Sequence, residues 1–177
     1  ANVTVVFGKG TVRPPAAAKT VHVDTAEQMR TAVYEELEAT QIDVLIATAA
    51  VGDWKPKVAS EKKITTHGTT SIHVELVPTA KIIDEVKSRS PKTFLVAFRA
   101  LSGLTEEELL ENAYQRLKKA NADLIAVNDT AKPDAGFEVD TNELHVIDAQ
   151  RTIKHLPTMS KSAIGEELIK AICTYIS

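Results

Sequence analysis

Short apolar runs alternate with helix-period segments along most of this chain. Runs over 3–7, 20–23, 44–48, 93–98 and 124–128 read as strands. Between them lie segments whose apolar residues recur at helical spacing. Over 26–39, Met29, Val33 and Leu37 fall every four residues on one face, and Thr25 with Gln28 makes a capping-box pattern at the start. Over 106–120, Leu109, Leu110, Ala113 and Leu117 share a face behind the cap residue Thr105. A shorter helix is expected over 80–88, after Pro78, and a last one from the cap Ser160 to about Tyr175. Residues 129–142 lack apolar period and are rich in Asp, Pro, Gly and Asn, so they read as a surface loop. Gly8-Lys-Gly and Arg13-Pro-Pro have turn chemistry as well.

Strands alternating with helices are the pattern of βαβ units around a parallel sheet. The expected fold is therefore α/β, a Rossmann-like, doubly wound and mostly parallel sheet. Three further short strands are expected: 71–76, where Ile72, Val74 and Leu76 alternate with His73 and Glu75, and a hairpin of 143–147 and 152–156 around Asp148-Ala-Gln-Arg151. They are expected to form a small β extension beside the main sheet. A doubly wound domain normally opens with a strand, a Gly-rich turn and a helix. Here the chain reads as strand from its first residues, so a single domain over 1–177, truncated at its N-terminus, is the expectation.

Composition narrows the function classes. The chain has 177 residues, 44% hydrophobic and 25% charged, which suits a globular domain with a real core. A formal charge of −3 gives no electrostatic case for nucleic acid or an anionic membrane. No apolar run approaches the ~18 residues of a membrane span, and no signal segment is evident. The single cysteine, Cys173, excludes an internal disulfide and fits a reducing, cytoplasmic setting. The five histidines are scattered in sequence without metal-ligand spacing. There is no Ser-His-Asp order to defend, no Walker lysine loop and no GxGxxG.

Several residues admit a structural and a chemical reading. The strand ending at Ala47 runs into Thr48, Ala49 and Ala50, small residues that let a ligand approach the backbone at a strand's C-terminal end. Asp53 beyond them is a turn acid or a contact to nucleotide or metal. Lys55, Lys57, Lys62 and Lys63 form a solvated loop or a flap whose lysine closes on phosphates. Pro78, Thr79, Ala80 and Lys81 start a helix, or offer that helix's N–H groups to an anion. Phe98 is core, or a ring that stacks on a base. Arg116, Lys118 and Lys119, near the end of the third helix, complement its dipole on a solvated face. Asn128 and Asp129 are turn formers or polar groups at a ligand edge.

The order of these pieces says more than any one of them. Ala49-Ala-Val-Gly-Asp-Trp54, Glu61-Lys-Lys-Ile64, Pro78-Thr-Ala-Lys-Ile82 and Val96-Ala-Phe98 come first. Arg116-Leu-Lys-Lys119, Asp123-Leu-Ile-Ala-Val-Asn-Asp129, Gly136-Phe137, Asp140-Thr-Asn142 and Met159-Ser-Lys161 follow. Over essentially the whole chain this resembles phosphopantothenoylcysteine synthetase (phosphopantothenate–cysteine ligase), in many microbes the C-terminal half of a bifunctional coenzyme A biosynthesis flavoprotein. The resemblance implies two steps. The 4′-phosphopantothenate carboxylate attacks the α-phosphate of CTP, or of ATP, and pyrophosphate leaves. The cysteine amine then attacks the acyl carbon and releases the nucleoside monophosphate. Mg²⁺ is implied on the triphosphate, and no flavin in this domain. The partners implied are a second copy in a homodimer, with strands 71–76 and 143–156 as the candidate interface, and a flavin-dependent decarboxylase domain upstream.

By position, the resemblance makes Lys63 the catalytic flap lysine. It makes Ala47, Thr48, Ala49, Asp53, Pro78, Thr79, Ala80, Lys81, Phe98, Arg116 and Lys119 nucleotide contacts. Ala50, Asn128 and Asp129 become substrate contacts, and the metal ligands stay unknown. The chain departs from the family pattern at Thr65, Thr66 and His67, where lysines are common, at Leu101, where an acid is, and at Ala120, where a second basic residue is. Pro78-Thr-Ala-Lys replaces the commoner Pro-Asp-Ile, so CTP against ATP stays open. The family's first Gly-rich βα unit has no counterpart in 1–177, so the fragment alone is expected to be incomplete as a catalyst. The competing reading is a nucleotide-binding and dimerisation module without turnover. The flavin decarboxylase itself is disfavoured, because no His/Cys pattern suits it.

Overall fold

The computed structural model describes residues 1–10, 12–58, 60, 62–65, 68, 70–136 and 139–176. They group into two compact units, one of 1–32 with 50–81 and the other of 33–49 with 82–177.

In the first unit, β1 (Thr4–Phe7) and β2 (Lys19–His22) pair in parallel, with Thr4 opposite Lys19 and Phe7 opposite His22. The Phe7 ring meets the His22 ring edge-on at 5.8 Å. The first residues of α1 (Ala26–Ala39) follow. Its expected capping box is formed: Thr25 Oγ1 accepts from the Gln28 N–H at 3.1 Å, and Gln28 Oε1 accepts from the Thr25 N–H at 3.1 Å. The unit closes with an antiparallel pair, β4 (Trp54–Pro56) and β5 (Leu76–Pro78).

The second unit carries a five-stranded sheet of order β3-β6-β7-β8-β9. Here β3 (Val44–Ala47), β6 (Phe94–Leu101) and β7 (Leu124–Asp129) run parallel, and β8 (Thr141–Asp148) and β9 (Ile153–Ser160) add an antiparallel hairpin. The strands β6 and β7 are buried on both faces, which is why they read as unbroken apolar runs. Leu95, Ala97, Ile125 and Val127 point to the face of α3 (Glu106–Ala120), with Leu109, Ala113 and Leu117. Val96, Leu124 and Ala126 point to the other face, against Ile164, Leu168 and Ile172 of α4 (Lys161–Ile176). Thr105 and Glu108 form the capping box of α3, and Asn121 in the left-handed region (φ 50°) ends it. Ser160 caps α4 by accepting from the Ala163 N–H at 3.2 Å.

Two acids, Asp148 buried and Asp123 partly buried, tie elements together. Asp123 accepts from the Leu95 N–H at 2.6 Å and pairs with Lys87 at 2.5 Å. Asp148, at the hairpin turn, accepts from the N–H groups of Gln150 (2.9 Å) and Thr152 (2.7 Å) and from the Tyr175 hydroxyl of α4 (2.9 Å). Burial pushes the Asp148 carboxyl up, but the bonds from Thr152, Tyr175 and Gln150 outweigh it and hold it below its ordinary value.

Three expectations need correction. The strand expected over 71–76 is confined to Leu76–Pro78, where β4 supplies a partner. The alternation upstream has no buried side: Ile72, Val74 and Leu76 are 57%, 56% and 51% exposed. The hairpin does not join that strand in a separate extension. Leu144 and Val146 of β8 complete the α4-face core, so β8 pairs with β7 inside the main sheet. The helix expected over 80–88 is a 3₁₀ turn at Ile82–Asp84 and a four-residue α2 at Val86–Arg89. The Thr79 N–H is already committed to the Asp53 carbonyl (2.8 Å), and Pro91 follows soon after. Pro78–Lys81 therefore lead into a 3₁₀ turn and do not open an α-helix.

Candidate functional site

The predicted residues divide between the two units. In the first, the turn at Asp53 and the segment after β5 are brought together. Trp54 pairs with Pro78, the Thr79 N–H bonds the Asp53 carbonyl, and Lys81 Nζ forms an ion pair with the Asp53 carboxylate. Thr79 is buried, whereas Ala50, Asp53, Pro78, Ala80 and Lys81 are exposed. Lys63 is exposed in the segment between β4 and β5, outside any helix or strand. Ser60 Oγ donates to the Lys62 carbonyl at 2.6 Å and supplies a local turn beside it. Glu61, Thr66, His67 and Phe137, all named in the resemblance, lie outside the described residues.

In the second unit, the parallel strands end along one edge. Ala47 closes β3 opposite Ala97, and Thr48 and Ala49 leave that strand exposed. Asn128 and Asp129 close β7 opposite Ala100 and Leu101. Asn128 is 8% exposed and its Nδ2 donates to Asn142 Oδ1 at 3.4 Å. Asp129 accepts from the Ala131 N–H at 2.9 Å, which turns the chain away from the sheet. Gly136, at φ 123°, packs where a Cβ would lie 3.2 Å from Thr130 Cγ2, so the loop after β7 requires glycine there. Phe98 is half-buried on the α4 face of β6, so the core reading describes its packing.

Arg116 and Lys119 are not gathered at that edge. Helix α3 returns from the end of β6 to the start of β7, so its last turns lie beside the strand beginnings, where Asp123 bonds Leu95. Lys119 is exposed there. Arg116 Nη2 pairs with Asp84 at 2.5 Å, and its buried Nη1 has no hydrogen-bond partner among the described residues.

A cavity of about 230 Å³ opens beside Asp129, lined by Leu104, Glu106, Leu109, Lys132, Glu143 and His145. Four polar groups meet around it that the residue patterns did not single out. Glu143 accepts from Lys132 at 2.6 Å, and its other oxygen lies 2.7 Å from His155 Nε2. The bonds from Lys132 and His155 hold its carboxyl below the usual value against the opposing effect of burial. The His145 and His155 rings stack with centroids 4.6 Å apart, and burial, then the neighbouring His155 charge, push the His145 imidazole down. The histidines looked scattered because their spacing was read along the chain. His145 and His155 are direct cross-strand partners, equidistant from Gln150, one residue out of the register that the expected strands 143–147 and 152–156 imply.

The model of the DNA/pantothenate metabolism flavoprotein C-terminal domain matches residues 1–175. The chain belongs to this family. It is 37% identical over 168 residues to the coenzyme A biosynthesis bifunctional protein CoaBC of Thermococcus kodakarensis, covering 95% of this chain and 40% of that protein. Among solved structures, the C-terminal domain of a CoaBC protein superposes with a TM-score of 0.75 at 29% identity, over 99% of this chain and 76% of that one. Cab2 mutant H337A, solved in complex with phosphopantothenate-cysteine, gives a TM-score of 0.67 at 17% identity, over 89% and 53%. That second likeness speaks to the fold alone. The chain thus spans less than half of its bifunctional relative. Among the described residues, no helix is long and apolar enough to cross a membrane.

Proposed function

We propose that this chain supplies the ligase part of a phosphopantothenate–cysteine ligase, joining cysteine to 4′-phosphopantothenate through an acyl-nucleotidylate in coenzyme A biosynthesis. The observation that carries the reading is the C-terminal edge of β3 and β7, where Ala47, Thr48, Ala49, Asn128 and Asp129 sit in a chain of this family. Ligands of open α/β sheets bind at such strand ends, where backbone groups are accessible. Thr48 and Ala49 impose little bulk, and Asn128 and Asp129 add a donor and acceptors.

The chemistry requires charge control at two moments. When the substrate carboxylate attacks the α-phosphorus, negative charge builds on the phosphoryl oxygens and on the departing pyrophosphate. Lys63, itself exposed and outside any helix or strand, is suited to approach with the nucleotide and offset that charge. Asp53 and Lys81, held together by their ion pair, offer an acceptor and a donor to the sugar or base. The triphosphate would bring Mg²⁺ as its own counter-ion, which favours pyrophosphate as leaving group. In the second step the cysteine amine attacks the acyl carbon and the nucleoside monophosphate leaves. We take CTP as the preferred nucleotide, a homodimer as the working form, and a flavin-dependent decarboxylase domain upstream in the full-length protein.

The test is turnover by the full-length protein with phosphopantothenate, cysteine and either CTP or ATP. Pyrophosphate and CMP should appear together and faster than the ATP products. Faster turnover with ATP would reverse the nucleotide assignment. Nucleotide binding in a calorimeter without any pyrophosphate release would replace the ligase by a binding module.

A further inference from the structure

We propose that Glu143, His145 and His155 form a binding site for one divalent transition-metal ion of the zinc class. The site rests on the hairpin itself and is independent of the ligase reading. His145 and His155 face each other across the β8–β9 ladder. Residues two apart on a strand share a face, which puts Glu143 beside His145. The ladder shifts register between Asn142 and Leu144, where Pro157 and Thr158 of β9 stand opposite Glu143 alone, a bulge of the kind that re-aims side chains around it. As a result one ligand atom from each of the three residues lies within 4.8 Å of the others. Donors of one zinc ion sit ~2.0–2.2 Å from it and hence roughly 3–4 Å from each other, so small side-chain rotations complete the set.

The chemistry of the donors selects the ion. Two imidazoles and a carboxylate suit zinc, cobalt or nickel, whereas Mg²⁺ demands oxygen and keeps its waters. The ion would take the place of the hydrogen bond between His155 Nε2 and Glu143 Oε1, 2.7 Å apart. Lys132 holds the other oxygen, Oε2, at 2.6 Å, and so orients the carboxylate without occupying the donor atom. Its positive charge is outnumbered around the cavity, where Glu106, Asp129 and Glu143 supply three carboxylates. Those acids also make the cavity a poor phosphate site, although the first turn of α3 lines it. Three protein donors would leave a coordination position for water or a small ligand.

The experiment titrates the full-length, chelator-washed protein with Co²⁺, reading its visible absorption, and then displaces it with Zn²⁺. One equivalent of Co²⁺ should give the absorption of a low-symmetry site, Zn²⁺ should abolish it, and millimolar Mg²⁺ should not. His155→Ala and Glu143→Gln should each weaken binding by at least about tenfold, in line with loss of a donor. His155 is exposed, so its replacement spares the core, and circular dichroism checks the fold of both variants. His73→Ala, an exposed histidine elsewhere, should change nothing. Absence of a cobalt spectrum, unchanged affinity in His155→Ala and Glu143→Gln, or equal loss in His73→Ala would overturn the assignment.

Discussion

The two units spend their apolar residues in opposite ways. In the second, both faces of β6 and β7 are closed, by α3 on one side and by α4 on the other. In the first, the β4–β5 pair and its connecting segment leave Trp54, Val58, Ile64, Ile72, Val74 and Leu76 more than half exposed. Its ion pairs are solvent-facing too: Lys57 with Glu75, and Lys81 with Asp53. Exposed pairs contribute ~0–1 kcal/mol, and segments with few buried contacts open at low cost. The contrast teaches that folding energy is concentrated in the five-stranded unit. The β4–β5 pair contributes little apolar burial of its own.

Replacing core side chains is the hardest challenge to this contrast. Leu168→Ala removes an α4 residue that is 5% exposed and should cost about 2–5 kcal/mol in denaturant unfolding. Next comes Asp148→Asn, which breaks a buried set of bonds at the turn and at α4 and should cost about 1–3 kcal/mol. Its pH signature is separate. The folded carboxyl lies below its ordinary value, so its stabilisation is complete above the unfolded pKa of about 3.9 and is lost as pH falls through the folded value. The variant should therefore show a shallower loss of stability below about pH 4 than the parent. Thr105→Ala, which removes one half of the α3 capping box, should cost about 1 kcal/mol. Lys57→Ala in the first unit should change stability by less than about 0.5 kcal/mol. A cost above about 2 kcal/mol there would erase the contrast.

How much was legible in the sequence follows the same division. Where burial decides the structure, pattern sufficed: the apolar runs of β6 and β7, the stripe Leu109, Ala113 and Leu117, and the cap at Thr105 all stand as read. Where the partner decides, pattern misled. Ile72, Val74 and Leu76 alternate like a strand, but a ladder forms only where Trp54–Pro56 lies opposite. The β8–β9 hairpin was visible, but its place in the main sheet depends on Leu144 and Val146 meeting α4, a contact distant in sequence. Local propensity after Pro78 suggested a helix that the Asp53–Thr79 bond pre-empts. Of the site, the edge residues Ala47, Asn128 and Asp129 could be located from strand ends alone. Lys132, Glu143, His145 and His155 required the hairpin register, since their proximity lies across strands rather than along them.

In the proposed reaction Lys63, an exposed residue of the first unit, serves chemistry and not folding. Single-turnover formation of the acyl-nucleotidylate by full-length Lys63→Ala, measured beside its unfolding midpoint, tests it most directly. The rate should fall by about 100-fold or more, the size expected when a charge-stabilising donor is removed, with the midpoint unchanged. A normal rate of acyl-nucleotidylate formation, or a rate lost only because the protein unfolds, would contradict it.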